Sequence, residues 1–265
     1  MEEKNTDLLL AKELSLELNT RIIGKKILSY NIVDSTSAIA AALAEKNEPE
    51  GTVIFAEGQK KGKGRLGRNW VSPSAQGIYC SLILRPKIPT EEALLLTLMA
   101  GVSCCKAIRQ TYGINALIKW PNDIIINNKK VCGILTEMQT RRGQVDFVIL
   151  GVGINVSTPV NMLPEGATSL QEETGKHFSR VTLAGSLLRG LETHYLEFMR
   201  TGGKNILAQW KNFSALCGKS VKVIRADHIT IKGTAGDIDE KGALIVRTDN
   251  GVNQHLLATE VIKVY

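Results

Sequence analysis

The chain has 265 residues, of which 43% are hydrophobic and 22% charged, a balance typical of a folded globular protein with room for one large core and a small satellite domain. Its longest apolar stretch, residues 93–102, is about half the roughly 20 residues that a membrane-spanning helix requires, so no membrane association is predicted. The first residues, MEEKNTDLLL, are acidic and have no small-residue cleavage site, which argues against a signal peptide and predicts a cytoplasmic protein. The net charge of +7 permits nucleic acid or a polyphosphate as partner, and only the positions of the basic residues distinguish the two.

The cysteines and histidines are scattered along the chain. No CxxC pair occurs among the five cysteines, and the four histidines are equally dispersed, so a zinc site is not predicted. These residues are Cys80, Cys104, Cys105, Cys132, Cys217, His177, His194, His228 and His255. We expect the cysteines to be buried core residues.

The predicted elements begin with a polar, helix-prone segment at residues 1–20, which is too short for a separate DNA-binding domain. In chain order there follow a helix at 37–46, a strand at 52–56, a loop at 57–70, a strand at 77–84 and a helix that begins near Pro89. Between residues 116 and 156, apolar runs separated by turns at 127–128 and 141–143 predict strands at 123–127, 131–138 and 144–156, with Ile118 in a further strand. Such hairpins indicate an antiparallel or mixed sheet.

The last third of the chain contains helices and then a β-rich segment. Helices are predicted at 181–200 and 204–216, followed by short strands at 221–224, 229–238, 243–247 and 261–264. We therefore expect an α+β fold with a catalytic domain at 1–216 and a small SH3-like barrel at 217–265.

The loop at 57–70 holds the most distinctive chemistry. Five cations alternate with glycines in this segment: Lys60, Lys61, Lys63, Arg65 and Arg68, with Gly62, Gly64 and Gly67 between them. Glycines allow the backbone to approach a ligand closely, successive N–H groups can point at an anion, and arginine binds two phosphate oxygens at once. The pattern favours a loop that binds an anionic ligand.

Three other interpretations of this loop were compared. Residues 62–67 match the dinucleotide fingerprint GxGxxG, but the segment after Trp70 breaks any helix and the intervening positions hold large cations. A Walker A loop also fails, because the spacing from Gly58 is one residue short and Gly64 stands where Ser or Thr should bind magnesium. A solvated basic turn explains the charge but leaves the regular glycine alternation and the closing tryptophan unexplained.

The segment at residues 62–70, GKGRLGRNW, resembles the GRGRxGRxW loop of biotin–protein ligases. Four further segments resemble that family in the same order: DST at 34–36, KWPND at 119–123, KVCGILTE at 130–137 and GVGIN at 151–155. The likeness covers about residues 30–175, and the C-terminal β module is similar to the small end domain of the family. It implies a class II synthetase-like central sheet with flanking helices, an adenylated biotin intermediate, and transfer of biotin to a lysine of a biotin carboxyl carrier protein. ATP would be consumed in the first step, with Mg²⁺ as cofactor.

The resemblance also implies a role for each motif residue. Catalysis is assigned to Lys130, Arg65 and Asp123, where Asp123 either binds magnesium or helps to deprotonate the acceptor lysine. Biotin is expected to contact Ser35, Thr36, Ser37, Gln59, Gly62, Lys63, Gly64, Arg65, Lys130 and Gly133. ATP is expected to contact Arg65, Arg68, Trp70, Asn122, Lys130 and Asn155. The family often has arginine at the position of Lys63 and asparagine at that of Ser37. The lysine lacks the bidentate fork of arginine, so the exact contacts of Lys63 are left open.

Two rival functions were weighed against this assignment. A lipoate–protein ligase resembles the family in fold, but the polar set at 34–36 and Gln59 suits the ureido ring of biotin better than a dithiolane. A DNA-binding repressor is disfavoured because the positive charge is concentrated in the glycine loop. A homodimer formed through sheet edges is compatible with the resemblance, and no nucleic-acid partner is expected.

Overall fold

A computed structural model describes residues 7–224, 229–257 and 260–264, so the first six residues of the predicted N-terminal helical segment and His228 lie outside the described residues. The helices are α1 (Ala11–Leu16), α2 (Thr36–Glu45), α3 (Ala93–Tyr112), α4 (Leu170–Thr174), α5 (Arg180–Thr201) and α6 (Lys204–Phe213). The strands are β1 (Ile27–Val33), β2 (Val53–Gln59), β3 (Gly77–Leu84), β4 (Leu117–Lys119), β5 (Asp123–Ile126), β6 (Lys129–Arg141), β7 (Gln144–Asn155), β8 (Ser220–Ile224), β9 (Thr230–Ile238), β10 (Leu244–Thr248), β11 (Asn253–Leu256) and β12 (Glu260–Val264).

The first seven strands form one mixed sheet in the order β1-β2-β3-β7-β6-β5-β4. Strands β1 and β2 are parallel, and the other neighbouring pairs are antiparallel. The turn between β5 and β6 uses Asn127 and Asn128 at positive φ, as a tight hairpin requires. The predicted mixed sheet with flanking helices is confirmed.

The two faces of this sheet are covered by different helices. On one face, α3 and α5 pack over the central strands and form the main core, in which Leu96 and Leu187 are fully buried. On the other face, α2 places the small side chains of Ala40 and Ala44 against Ile54 and Ile83. The small side chains let α2 lie close to the sheet, which brings its N-terminus next to the end of β2, where Thr36 bonds to Gln59. None of the described helices is both long and apolar enough to cross a membrane.

The remaining five strands form a separate antiparallel sheet in the order β11-β10-β9-β8-β12. It contacts the larger sheet through the indole of Trp120, whose Nε1 donates a hydrogen bond of 3.0 Å to the carbonyl of Gly242. A second contact joins Lys211 of α6 to Asp237 of β9. The predicted small β module is therefore present, whereas its closure into an SH3-like barrel stays a prediction.

Several predicted element bounds were wrong. The loop predicted at 57–70 begins later, because β2 continues to Gln59. The helix predicted at 204–216 ends at Phe213, since Ala215 N then donates a hydrogen bond to Ile118 O at the edge of the sheet. Helix α1 lies within the helix-prone segment predicted at 1–20, whereas the sequence patterns missed the short helix α4 and the edge strands β1 and β11. These elements are short or half-exposed, so their hydrophobic patterns are weak.

Candidate active site

The glycine-rich segment folds into a compact hairpin above the sheet. Trp70 N donates to Gly62 O at 2.8 Å, and Gly64 N donates to Arg68 O at 2.7 Å. At the tip, Leu66 and Gly67 have positive φ, of 55° and 73°. A Cβ on Gly62 would lie 2.5 Å from the carbonyl oxygen of Trp70, so this position requires glycine.

A chain of buried polar groups lies beneath the hairpin. The side-chain oxygen of Gln59 accepts hydrogen bonds from Thr36 N at 2.9 Å and Thr36 Oγ1 at 3.1 Å. Ser81 Oγ lies 2.8 Å from Thr36 Oγ1 and 3.0 Å from Ser37 Oγ. Gln59 Nε2 donates to Ser72 Oγ at 3.0 Å, which ties this chain to the segment after Trp70. A cavity lined by these groups offers hydroxyl and amide partners to a polar ring.

The floor of the site consists of glycines on two paired strands. Gly133 of β6 is in register with Gly153 of β7, and the indole of Trp70 rests on both. A Cβ on Gly153 would lie 2.4 Å from Trp70 Nε1, and one on Gly133 would lie 2.9 Å from Trp70 Cζ3. Gly151 similarly leaves room for Ser37 Oγ, which a Cβ would meet at 3.0 Å. The indole therefore depends on the absence of side chains below it.

Two cavities meet at this point. The first contains the polar chain, and the second lies beyond Trp70, towards Pro121 and the segment at 163–167. Both cavities are lined by Gly64, Arg65, Trp70, Asn122 and Lys130. The shared wall is cationic, so two anionic groups that enter from opposite sides would meet beside Arg65 and Lys130.

Neighbouring polar groups hold the two cations of the shared wall in place. Arg65 Nη1 donates to Asn122 Oδ1 at 2.8 Å, and Asn122 Nδ2 donates to Ile134 O at 2.9 Å. Lys130 Nζ lies 2.6 Å from Asp123 Oδ1 and 5.3 Å from the centroid of the Trp70 ring. Such fixed charges stabilise an incoming anion without first having to reorganise.

Two exposed ion pairs hold the hairpin at its sides. Lys61 Nζ lies 2.8 Å from Asp34 Oδ2, and this hydrogen bond lowers the pKa of Asp34 and raises that of Lys61. On the other side, Lys63 Nζ lies 3.4 Å from Glu137 Oε1. Exposed pairs of this kind contribute little stability, so they guide the hairpin without locking it.

The structure brings together most of the side chains that the sequence assigned to the site. Those that line one or both cavities are Thr36, Ser37, Gln59, Lys63, Gly64, Arg65, Arg68, Trp70, Asn122, Asp123, Lys130, Gly133 and Asn155. Ser35 lines neither, and its Oγ instead accepts a hydrogen bond from Ala38 N at 3.4 Å as the N-cap of α2. Gly62 closes the hairpin. Both functional groups of the Asn122 amide are bonded to protein, and Asn122 holds Arg65, while its predicted contact with the nucleobase stays a prediction.

The sequence assignment missed three residues. Ser81 is fully buried in the apolar strand GIYCSLIL, and a polar residue in such a run is the signal that could have identified it. Gly151 and Gly153 belong to the GVGIN motif but were not assigned a role, although alternate glycines in a buried strand indicate close approach of another group.

Among the cavity-lining residues with a predicted role, Asp123 is the one that carries a carboxylate. Its side chain is 24% exposed. No group of three potential metal-ligating side chains occurs within the described ranges. This donor set fits a magnesium ion that takes most of its ligands from phosphate and water, as Mg²⁺ commonly does.

Fold and geometry together define a class of protein that covers a small acid and a phosphate-bearing partner with a basic glycine hairpin. The model of the biotin/lipoate A/B protein ligase family matches residues 29–155, and that of the biotin protein ligase C-terminal domain matches residues 216–264. The chain is 37% identical over 246 residues to the bifunctional ligase/repressor BirA of Bacillus subtilis. The aligned residues cover 91% of this chain and 75% of the relative. It is 31% identical to the biotin–[acetyl-CoA-carboxylase] ligase of Mycobacterium tuberculosis, over 79% of each chain.

Solved structures agree with these relatives. The biotin protein ligase of Aquifex aeolicus in complex with biotin and ATP superposes with a TM-score of 0.78 at 30% identity, covering 90% of this chain and 99% of that one. The chain belongs to the biotin protein ligase family.

Proposed function

We propose that this protein activates biotin with ATP to form biotinyl-5′-AMP and then transfers the biotinyl group to a lysine of an acceptor protein. The observation that carries this proposal is the cationic wall shared by the two cavities, where Arg65 and Lys130 face both. Biotin in the first cavity and ATP in the second bring a carboxylate and an α-phosphate to these two cations. The ligases among the relatives support the same reaction.

In the first step a carboxylate oxygen of biotin attacks the α-phosphorus, the bond to the β-phosphate breaks, and pyrophosphate leaves with the electron pair. The carboxylate is already ionised at neutral pH, so this step needs no general base. Lys130 and Arg65 reduce the repulsion between the two anions and hold them in line, which is the main requirement for the reaction. Magnesium, when bound with ATP at Asp123, supplies further neutralisation of phosphate charge.

In the second step the amine of the acceptor lysine attacks the acyl carbon, the amide forms, and AMP leaves. The amine must first lose a proton, and the candidate acceptor is the carboxylate of Asp123, which lines the second cavity 2.6 Å from Lys130. Until the acceptor arrives, the hairpin keeps water away from the mixed anhydride.

The residues of the first cavity suit the head group of biotin. Thr36, Ser37, Gln59 and Ser81 present hydroxyl and amide groups at the buried end, where the ureido ring can exchange hydrogen bonds. In the second cavity, Trp70 Nε1 and Asn155 Oδ1 are buried polar atoms for which the described residues provide no hydrogen-bond partner. An adenine ring has both donors and acceptors to offer them.

The acceptor, the assembly and the location are part of the same proposal. We expect a biotin carboxyl carrier domain as acceptor and a cytoplasmic location where ATP is abundant. We expect no nucleic-acid partner, since three of the five loop cations, Lys63, Arg65 and Arg68, line the cavities. A catalytic domain at 1–216 and a C-terminal domain at 217–265 agree with the separation of the two sheets. The edge strand β1 exposes Tyr30 and Ile32, which supports a homodimer through a sheet edge.

Incubation with ATP and either biotin or lipoate, followed by mass spectrometry, tests the reaction. The expected products are biotinyl-5′-AMP and, after addition of a biotin carboxyl carrier domain, one biotinyl group on a single lysine. Formation of lipoyl-AMP with no biotinyl-AMP would instead identify a lipoate ligase. Analytical ultracentrifugation with and without biotin and ATP tests the homodimer.

A further inference from the structure

The carboxylate of Glu57 lies buried at the end of β2, two residues before Gln59, and connects parts of the chain that are far apart in sequence. Its Oε1 accepts a hydrogen bond from Leu9 N at 2.7 Å, and its Oε2 accepts one from Arg180 Nη1, also at 2.7 Å. The residue is only 7% exposed. A buried carboxylate without such partners would strongly destabilise the fold, so both contacts are required.

Arg180, the first residue of α5, is equally well connected. Besides Glu57, its guanidinium donates to the carbonyl of Gly77 at 3.2 Å and to the carbonyl of Asp7 at 2.6 Å. Its Nε also lies 3.2 Å from Asp7 Oδ2. The planar guanidinium thus serves four acceptor atoms on three residues, more than the three N–H donors of a lysine ammonium could serve.

These contacts hold both limbs of the glycine hairpin. The rising limb begins where β2 ends at Gln59, two residues after Glu57. The falling limb is held by the hydrogen bond from Ala75 N to Glu57 O at 3.0 Å and by the bond from Arg180 to Gly77 O. The hydroxyl of Tyr79 donates to Pro73 O at 3.0 Å and fixes the middle of the same limb.

We propose that Glu57 and Arg180 are positioning residues that fix the base of the hairpin over the adenylate, and that the N-terminal segment around Asp7 and Leu9 completes this clamp. The inference rests on the proposed function, because it concerns retention of biotinyl-5′-AMP. Neither Glu57 nor Arg180 lines either cavity, so each acts on the ligand through the hairpin. Ligand retention then depends on a segment of the chain that never touches the ligand.

Glu192 provides a matched control. It is also 7% exposed, and its carboxylate accepts hydrogen bonds from the backbone N–H groups of Arg21, Ile22 and Ile23 at 2.6–2.8 Å. It therefore resembles Glu57 in burial and in its hold on an early part of the chain, but it has no contact with the hairpin. Glu57→Gln and Glu192→Gln separate an effect on the site from a general loss of stability.

The first measurement is the rate at which biotinyl-5′-AMP leaves the enzyme after dilution, well below the melting temperature of each variant. We expect Glu57→Gln and Arg180→Lys to release it about tenfold faster than the parent, and Glu192→Gln to stay within about twofold. Asp7→Asn, at a half-exposed position that the fold tolerates, should give a smaller acceleration of about threefold. Equal release rates for Glu57→Gln and Glu192→Gln would overturn the inference, as would an unchanged rate in Asp7→Asn should the buried variants fail to fold.

The second measurement is cleavage by trypsin in the hairpin, which contains five basic residues between Lys60 and Arg68. It needs no ligand, so it remains informative even if the parent forms no biotinyl-AMP and the proposed function fails. We expect several-fold faster cleavage in Glu57→Gln and Asp7→Asn than in Glu192→Gln. Cleavage at the parental rate in both Glu57→Gln and Asp7→Asn would show that the clamp does not control the hairpin.

Discussion

At the residue scale, the two cations of the site, Arg65 and Lys130, are held in position by neighbouring side chains. Asn122 orients Arg65, and Asp123 orients Lys130. The two partners are adjacent in the chain, Asn122 just before β5 and Asp123 as its first residue, so one short stretch controls both cations. Preorganised charges of this kind are usually the largest contribution to catalysis of acyl and phosphoryl transfer.

Replacing Arg65 by glycine should release biotinyl-5′-AMP into solution. The guanidinium lines both cavities, and each lost hydrogen bond to a charged group costs about 1.5–3 kcal/mol, which corresponds to roughly a tenfold to hundredfold faster release. Chromatographic detection of free biotinyl-AMP during turnover measures this. Lys60→Gly is the control, since it removes the same charge from the same loop but from a side chain that lines neither cavity. A variant at Arg65 that kept the intermediate as long as the parent would show that Arg65 does not close the site.

Replacing Gly153 by alanine should displace Trp70. The added Cβ would lie 2.4 Å from the indole nitrogen, while the strand backbone could stay in place. We expect the KM for ATP to rise about tenfold or more and the melting temperature to change little. In Gly190→Ala, the control, the nearest atom to the new Cβ lies 3.8 Å away. An unchanged KM for ATP in Gly153→Ala would mean that the position of Trp70 does not matter for the nucleotide.

At the element scale, helix α3 is joined to α5 by a buried polar contact. His194 of α5 is 4% exposed, with its Nδ1 2.8 Å from Ser103 Oγ and its Nε2 3.3 Å from Lys106 Nζ, both on α3. Burial lowers the pKa of His194 below its ordinary value of 6.5; the charge of Lys106 lowers it further, whereas Glu197 raises it. The folded protein therefore keeps this ring neutral where the unfolded chain would bind a proton.

This contact predicts a loss of stability in mild acid. Because the unfolded chain takes up the proton first, the free energy of unfolding contributed at His194 should fall as the pH drops below about 6.5. Melting temperatures between about pH 7.5 and 5.5 measure it, and His194→Gln should reduce the slope. The matched control is His177→Gln, which removes an exposed histidine that has no contact with α3. Identical slopes in the parent and His194→Gln would contradict the prediction.

The sequence predicted those parts of the fold and site that depend on neighbouring residues. The hairpin strands at 123–156 follow from short-range alternation and turn residues, and the glycine loop was found from its cations. The ligand-lining residues on β2, β6 and β7 come together because their strands belong to one sheet, as the resemblance implied.

The missed features all depend on contacts between distant parts of the chain. Glu57 was assigned to the loop because nothing near it indicates that Arg180, 123 positions later, neutralises it inside the core. Likewise, the bond from Arg65 to Asn122 joins residues 57 positions apart and becomes visible only when the hairpin folds down. Pattern analysis describes local preference, whereas these roles are set by packing.

At the scale of the whole molecule, the C-terminal sheet supports the nucleotide side of the site. The turn before β10 accepts the hydrogen bond from Trp120 Nε1 at Gly242 O, and Trp120 is followed directly by Pro121 and Asn122, which line the second cavity. The smaller sheet thus fixes the backbone that carries the partner of Arg65. This provides a structural reason for the two sheets to act together.

Trp120→Phe should weaken ATP binding while sparing biotin. Phenylalanine keeps an aromatic ring at this position, but Gly242 O loses its donor, at a cost of about 1–3 kcal/mol in stability. We expect a several-fold higher KM for ATP and little change for biotin. In the control, Trp210→Phe, the same volume is removed from a buried indole whose Nε1 has no acceptor among the described residues. Equal effects of the two variants on both KM values would show that the hydrogen bond to Gly242 is not used.

The position of Trp70 also gives the protein an intrinsic fluorescent reporter of its hairpin. Of the three tryptophans in the chain, Trp210 is fully buried away from both cavities, and Trp120 is 1% exposed but lines the second cavity. Trp70 belongs to the hairpin and lies near the ammonium group of Lys130. A change in the surroundings of Trp70 should alter the intrinsic emission, and the Trp120→Phe variant separates its signal from that of Trp120. Stopped-flow fluorometry could thereby follow each arrival and departure at the hairpin in real time, with no dye or label attached.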